Sequence, residues 1–76
     1  MPSLRAIHHT KFIKFLLYVG CELVRKKGSH FIYHRTDLIR PVVIPAKGDL
    51  PVFIILNNLR ILNITREKYL EIIDRV

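Results

Sequence analysis

Apolar positions change their period twice along this chain. Phe12, Phe15, Leu16 and Val19 recur at i, i+3, i+4 and i+7, which predicts a helix over residues 11–19 with Thr10 as its cap. Gly20 is suited to end that helix, because glycine tolerates the left-handed backbone of a C-terminal cap. The pattern then shortens to that of strands. Residues 21–25, 30–35 and 41–44 read as three strands, the second centred on Phe31, Ile32 and Tyr33 and the third ended by Pro45. Lys26-Lys27-Gly28-Ser29 is the tight connection between the first two, with Gly28 supplying a positive φ. Alternation sets His30, Ile32 and His34 on one face and Phe31, Tyr33 and Arg35 on the other. Neither set is wholly apolar, so the pattern does not choose the inward face.

Helical spacing returns after a loop at 46–49. Pro51 suits the opening of a helix over 52–62, whose apolar residues nearly encircle it and imply deep burial or a covered outer face. Asn57-Asn58 in that helix is expected at the surface or in local hydrogen bonds. Thr65 starts a last helix, with Tyr69, Leu70, Ile72 and Ile73 as its apolar contacts. The order is α-β-β-β-α-α. This is an α+β fold in which helices cover a three-stranded antiparallel sheet, with residues 1–76 read as one domain.

Composition narrows the class. Seventy-six residues, half of them hydrophobic, can build one small core and argue against disorder. The single cysteine, Cys21, permits no internal disulfide and no zinc cysteine cluster, and is read as a small core residue. Neither an 18-residue apolar run nor a short apolar leader with a cleavage site is present, so a cytoplasmic location without membrane attachment is expected. The net charge is +7, and it is unevenly placed. Residues 1–47 hold nine Lys and Arg against Glu22 and Asp37, whereas residues 48–76 hold four charges of each sign. Such asymmetry suggests a polyanionic partner, RNA or DNA being the commonest, with an acidic protein or a merely solubilising face as the alternatives.

The chemistry concentrates in Arg25-Lys26-Lys27-Gly28-Ser29-His30. Histidine is the side chain best suited to moving protons near neutral pH, and here it stands just past three cations and a glycine turn. RNA cleavage needs little more, since the 2′-hydroxyl attacks its own phosphorus once a base removes its proton. His30 is the candidate base or acid, Arg25, Lys26 and Lys27 the candidate phosphate ligands, and the amides near Gly28 and Ser29 an auxiliary oxyanion contact. The competing reading makes His30 an ordinary strand histidine and the lysines a solvated hairpin tip. His34 shares the face of His30 roughly 6–7 Å along the strand and is a weaker candidate for a second proton carrier. His8 and His9 precede the first helix and are read as flexible-terminus residues with a possible role in RNA contact. No metal or cofactor site is expected, because His8-His9 lacks a third ligand and Asp37 and Asp49 have no ligand spacing.

The succession Gly20, Val24-Arg25-Lys26-Lys27-Gly28-Ser29-His30, an aromatic strand, Val42-Val43-Ile44-Pro45, Asp49-Leu50-Pro51, Leu59-Arg60-Ile61-Leu62 and Ile64-Thr65-Arg66-Glu67 resembles the HicA toxins over nearly the whole chain. The resemblance implies a fold like that of double-stranded-RNA-binding domains and an mRNA interferase activity on mRNA or other single-stranded RNA. It implies that His30 is catalytic, that Gly28 and Ser29 form its turn, and that a HicB-type antitoxin masks the active surface, with any oligomer arising through that complex. Members of the family often carry a histidine after the third-strand proline, where this chain has Ala46-Lys47. Lys47 keeps a positive contact for phosphate, though lysine is a poor proton carrier at neutral pH. Members also often have a glycine near the start of the following helix, where Phe53 stands. A noncatalytic RNA-binding module and a docking domain for an acidic protein are the alternatives.

Overall fold

The computed structural model describes residues 3–76. Eight elements follow one another: β1 (Ile7–His8), α1 (His9–Tyr18), β2 (Glu22–Lys27), β3 (His30–His34), β4 (Val42–Pro45), β5 (Asp49–Leu50), α2 (Val52–Leu62) and α3 (Arg66–Ile73). The expected three strands form an antiparallel sheet in the order β2-β3-β4, and the expected three helices flank it.

Two short elements were not expected. β1 and β5 pair antiparallel as a separate ribbon, Ile7 opposite Leu50 and His8 opposite Asp49. This corrects two expectations. Residues 46–49 are not wholly loop, and His8 and His9 are not a flexible terminus but a strand end and the first turn of α1. The cap of α1 moves with them. Because Ile7 is held extended by Leu50, the helix begins at His9 with His8 as its N-cap, and Thr10 donates its amide to His8 Nδ1 at 3.4 Å.

The far end of α1 obeys the glycine rule. Gly20 has φ +93°, Cys21 N–H reaches back to the Leu16 carbonyl at 2.9 Å and Gly20 N–H to that of Leu17 at 3.1 Å. These are the two bonds of a Schellman motif, which satisfy carbonyls the helix would otherwise leave open. α2 ends on Asn63 at φ +57°, with Ile64 N–H on the Leu59 carbonyl. α3 opens on Thr65, whose hydroxyl accepts from Lys68 N–H at 3.1 Å.

The core settles which face of the sheet is inward. Phe12, Phe15 and Leu16 of α1, Ile55, Leu59 and Leu62 of α2, and Tyr69, Ile72 and Ile73 of α3 bury themselves against Tyr33, Val42 and Ile44, with Phe31 packed at the margin. Phe15 and Tyr69 meet edge to face at 4.9 Å. The Phe31 and Tyr33 face therefore lies under the helices, and the His30, Ile32 and His34 face is left open. Cys21 is buried as expected, and desolvation pushes its thiol pKa up, away from the reactive thiolate. Asn58 departs from expectation. It is only 2% exposed and its amide nitrogen finds no partner among the described residues, whereas Asn57 is exposed. Its place among apolar neighbours on the inner stripe of α2 decides this, not its polarity.

Arg35 is a structural anchor that sequence reasoning left unassigned. Its Nη1 donates to the Val19 carbonyl at 2.7 Å, Nη2 lies 3.4 Å from that of Leu62, and Nε pairs with Asp37 at 2.6 Å. One guanidinium thus ties the ends of α1 and α2 to the turn after β3. The same hydrogen bond holds the Asp37 carboxyl below the usual carboxylate range.

A candidate nucleic-acid interface on the open sheet face

The hairpin β2–β3 carries the candidate chemistry, and its register decides which side chains share a face. Directly opposed residues in a sheet lie on the same side. Glu22 opposes His34, Leu23 opposes Tyr33, Arg25 opposes Ile32, Lys26 opposes Phe31 and Lys27 opposes His30. The pairing shifts between Leu23 and Arg25, leaving Val24 as the extra residue of a β-bulge. One extra residue flips every later side chain to the other face. Counted back from the turn, Lys27 and Arg25 share the face of His30, and the bulge lets Leu23 rather than Val24 stand opposite Tyr33.

The open face therefore gathers Lys27 beside His30, then Arg25 beside Ile32, with His34 and Glu22 beyond. On the β4 side, Pro45 opposes His30 and Val43 opposes Ile32. Lys26 stands on the opposite side, its Nζ 5.0 Å from the centre of the Phe31 ring, where it caps the margin of the core. Of the three consecutive cations, two share the face of the histidine and one does not.

The connection is a two-residue turn. Gly28 has φ +60°, the hand required at the first central position of a type II′ hairpin turn, and Ser29 follows it into β3. A side chain at Gly28 would meet no neighbour within 4 Å, so glycine is needed there for its backbone and not for space. The Ser29 carbonyl accepts from Ala46 N–H at 2.7 Å. That bond brings the loop after β4, with exposed Lys47, alongside the hairpin turn.

Arg25, Lys27, Gly28, Ser29 and His30 thus lie together on or at the turn of one exposed basic face, with the Lys47 loop at its margin. Such a face can contact a phosphodiester backbone and present an imidazole to it. Among the described residues no three His, Cys, Asp or Glu side chains converge as metal ligands, and no helix is long and apolar enough to cross a membrane.

A small α+β protein with one helix-covered face and one open basic face is the class these features define. The chain belongs to the HicA toxin family: the model of the HicA toxin of bacterial toxin-antitoxin matches residues 10–64, from the first turn of α1 to the end of α2. No curated protein and no solved structure matches it.

Proposed function

We propose that this protein is an endoribonuclease toxin that cleaves mRNA by metal-independent acid–base chemistry on the open sheet face. The observation that carries the reading is the placement of His30 at the mouth of the hairpin, opposite Lys27 and on the face of Arg25. His30 removes the proton of a ribose 2′-hydroxyl, whose oxygen then attacks the adjacent phosphorus. Arg25 and Lys27 offset the charge that builds on the nonbridging oxygens, with Lys47 contacting the strand from its loop. The bond to the 5′-oxygen breaks, and that oxygen takes up a proton. The products are a 2′,3′-cyclic phosphate and a 5′-hydroxyl end. DNA, lacking the attacking hydroxyl, is not a substrate.

Lys26 stands at the rim of the hairpin over Phe31, outside the catalytic face, while Gly28 and Ser29 give the turn its shape. A HicB-type antitoxin is the expected inhibitor, covering this face in the complex.

The test is cleavage of a mixed-sequence RNA in EDTA by the wild-type chain and by His30→Ala, with circular dichroism to confirm that both are folded. Loss of at least 100-fold in rate is expected of the variant, the lower end of what a positioned acid or base supplies, roughly 10²–10⁴. Equal cutting by both, or product ends bearing 5′-phosphate, would refute the mechanism. Salt-sensitive RNA binding without turnover by wild type would reassign the face to a noncatalytic RNA-binding module, a reading favoured by Ala46, which puts no second imidazole beside the turn.

A further inference from the structure

The loop between β4 and β5 is pinned at two points. At its start, Ala46 N–H donates to the Ser29 carbonyl at 2.7 Å. At its end, the Gly48 carbonyl accepts twice from one residue, from His9 N–H at 3.0 Å and from His9 Nδ1 at 2.9 Å. Lys47 is the one residue between these anchors, and it is exposed.

The chemistry of the second anchor is unambiguous. A carbonyl can only accept, so His9 Nδ1 carries the proton and Nε2 is left with the lone pair. His8 has the reverse arrangement, because its Nδ1 accepts the Thr10 amide proton. The two rings lie 4.4 Å apart, and His8 Nδ1 is a further 2.9 Å from the Thr10 hydroxyl. His9 is thereby held in orientation on one side by its neighbour and on the other by Gly48. Imidazolium also carries a proton on Nδ1, so the bond to Gly48 survives either charge state of the ring.

We propose that His9 is a positioning residue of the RNA site: it fixes the loop that presents Lys47 beside the hairpin turn. The proposal rests on the reading of the open face as an RNA site. A lysine on a loose loop must be ordered at the moment of binding, and that ordering costs affinity. The His9 ring removes part of the cost in advance. It acts through the Nδ1–H donor alone, not by contact of the ring with RNA.

The experiment measures binding of a 2′-O-methyl RNA oligonucleotide, which cannot be cleaved through its 2′-oxygen, to the full chain and four variants. His9→Ala is expected to weaken binding roughly two- to tenfold, the worth of one hydrogen bond. His9→Asn retains an amide N–H near the position of Nδ1 and is expected to restore wild-type affinity, although it has nothing at the position of Nε2. Lys47→Ala is expected to weaken binding by itself, and adding His9→Ala to it should change nothing further. Wild-type affinity in His9→Ala, an Asn variant as weak as the Ala variant, or full additivity with Lys47→Ala would each overturn the proposal. Absence of binding by the wild type would instead overturn the RNA reading and this proposal with it.

Discussion

The two faces of β3 are made from five consecutive residues and do opposite work. Phe31 and Tyr33 point under the helices, where Tyr33 joins Val42 and Ile44 in a region closed to water and Phe31 packs at its margin. His30, Ile32 and His34 point away, toward Arg25, Lys27 and Val43. On the inner face a side chain is held by the neighbours it excludes from solvent. On the outer face it is held by the strand alone and stays available. Stability and chemistry are thus separated by single steps along the chain, so adjacent substitutions should have unlike consequences.

The largest effect is expected at Ile44 and its neighbour. Ile44→Ala should cost about 2–5 kcal/mol, since it opens a cavity in a fully buried site, enough to unfold much of so small a domain. Val43→Ala, on the open face and 42% exposed, should cost less than about 1 kcal/mol. Urea titrations of both variants measure the gap, and equal losses would mean that the faces are assigned wrongly.

The inner side also holds two phenols whose ionisation burial opposes. Tyr33 is raised above its ordinary value, and Tyr69, packed against Phe12 and Phe15, is pushed up to about 12. A pKa raised by folding means that the unfolded chain releases the proton first. Stability is therefore full below pH 10 and falls as pH climbs toward 12, by on the order of 2 kcal/mol for Tyr69. Tyr69→Phe should flatten this alkaline limb. It should cost little at pH 7, because the hydroxyl has no hydrogen-bond partner to lose among the described residues. A limb of unchanged steepness in thermal melts from pH 8 to 12 would contradict the assignment.

The smallest effect separates two neighbouring lysines. Neither Lys27→Ala nor Lys26→Ala should change stability by more than about 1 kcal/mol, both being exposed. Lys27→Ala should nonetheless lower the slope of log affinity for single-stranded RNA against log salt by about 0.7, the loss of one phosphate contact. Lys26→Ala should leave that slope nearly unchanged. The opposite ranking would place Lys26 on the RNA face.

Elements with local signals were legible. Pro51 and Thr65 marked the starts of α2 and α3, Gly20 the end of α1 and Gly28 the hairpin, because each acts on the backbone within one turn of itself. The faces of Glu22 and Leu23 were not legible, since strict alternation through β2 contains no sign that Val24 will bulge. Nor was the β1–β5 ribbon, whose two-residue strands are too short to alternate. Arg35 and His9 were missed as anchors for a further reason. Apart from Asp37, their partners are main-chain carbonyls, at Val19, Leu62 and Gly48, and a carbonyl has no letter in the sequence. The basic turn and His30 could be singled out as candidates because their signal is carried by side-chain identity alone.

The bulge at Val24 has a second effect. β2 lies at one border of the sheet, and all six of its residues are exposed. A straight apolar strand in that position would invite another chain to add itself through its free backbone groups. The kink interrupts the row of donors and acceptors, while Arg25, Lys26 and Lys27 make two such strands repel each other. The bulge that keeps Leu23 opposite Tyr33 thus belongs, with the cations beside it, to the features that blunt an exposed edge strand.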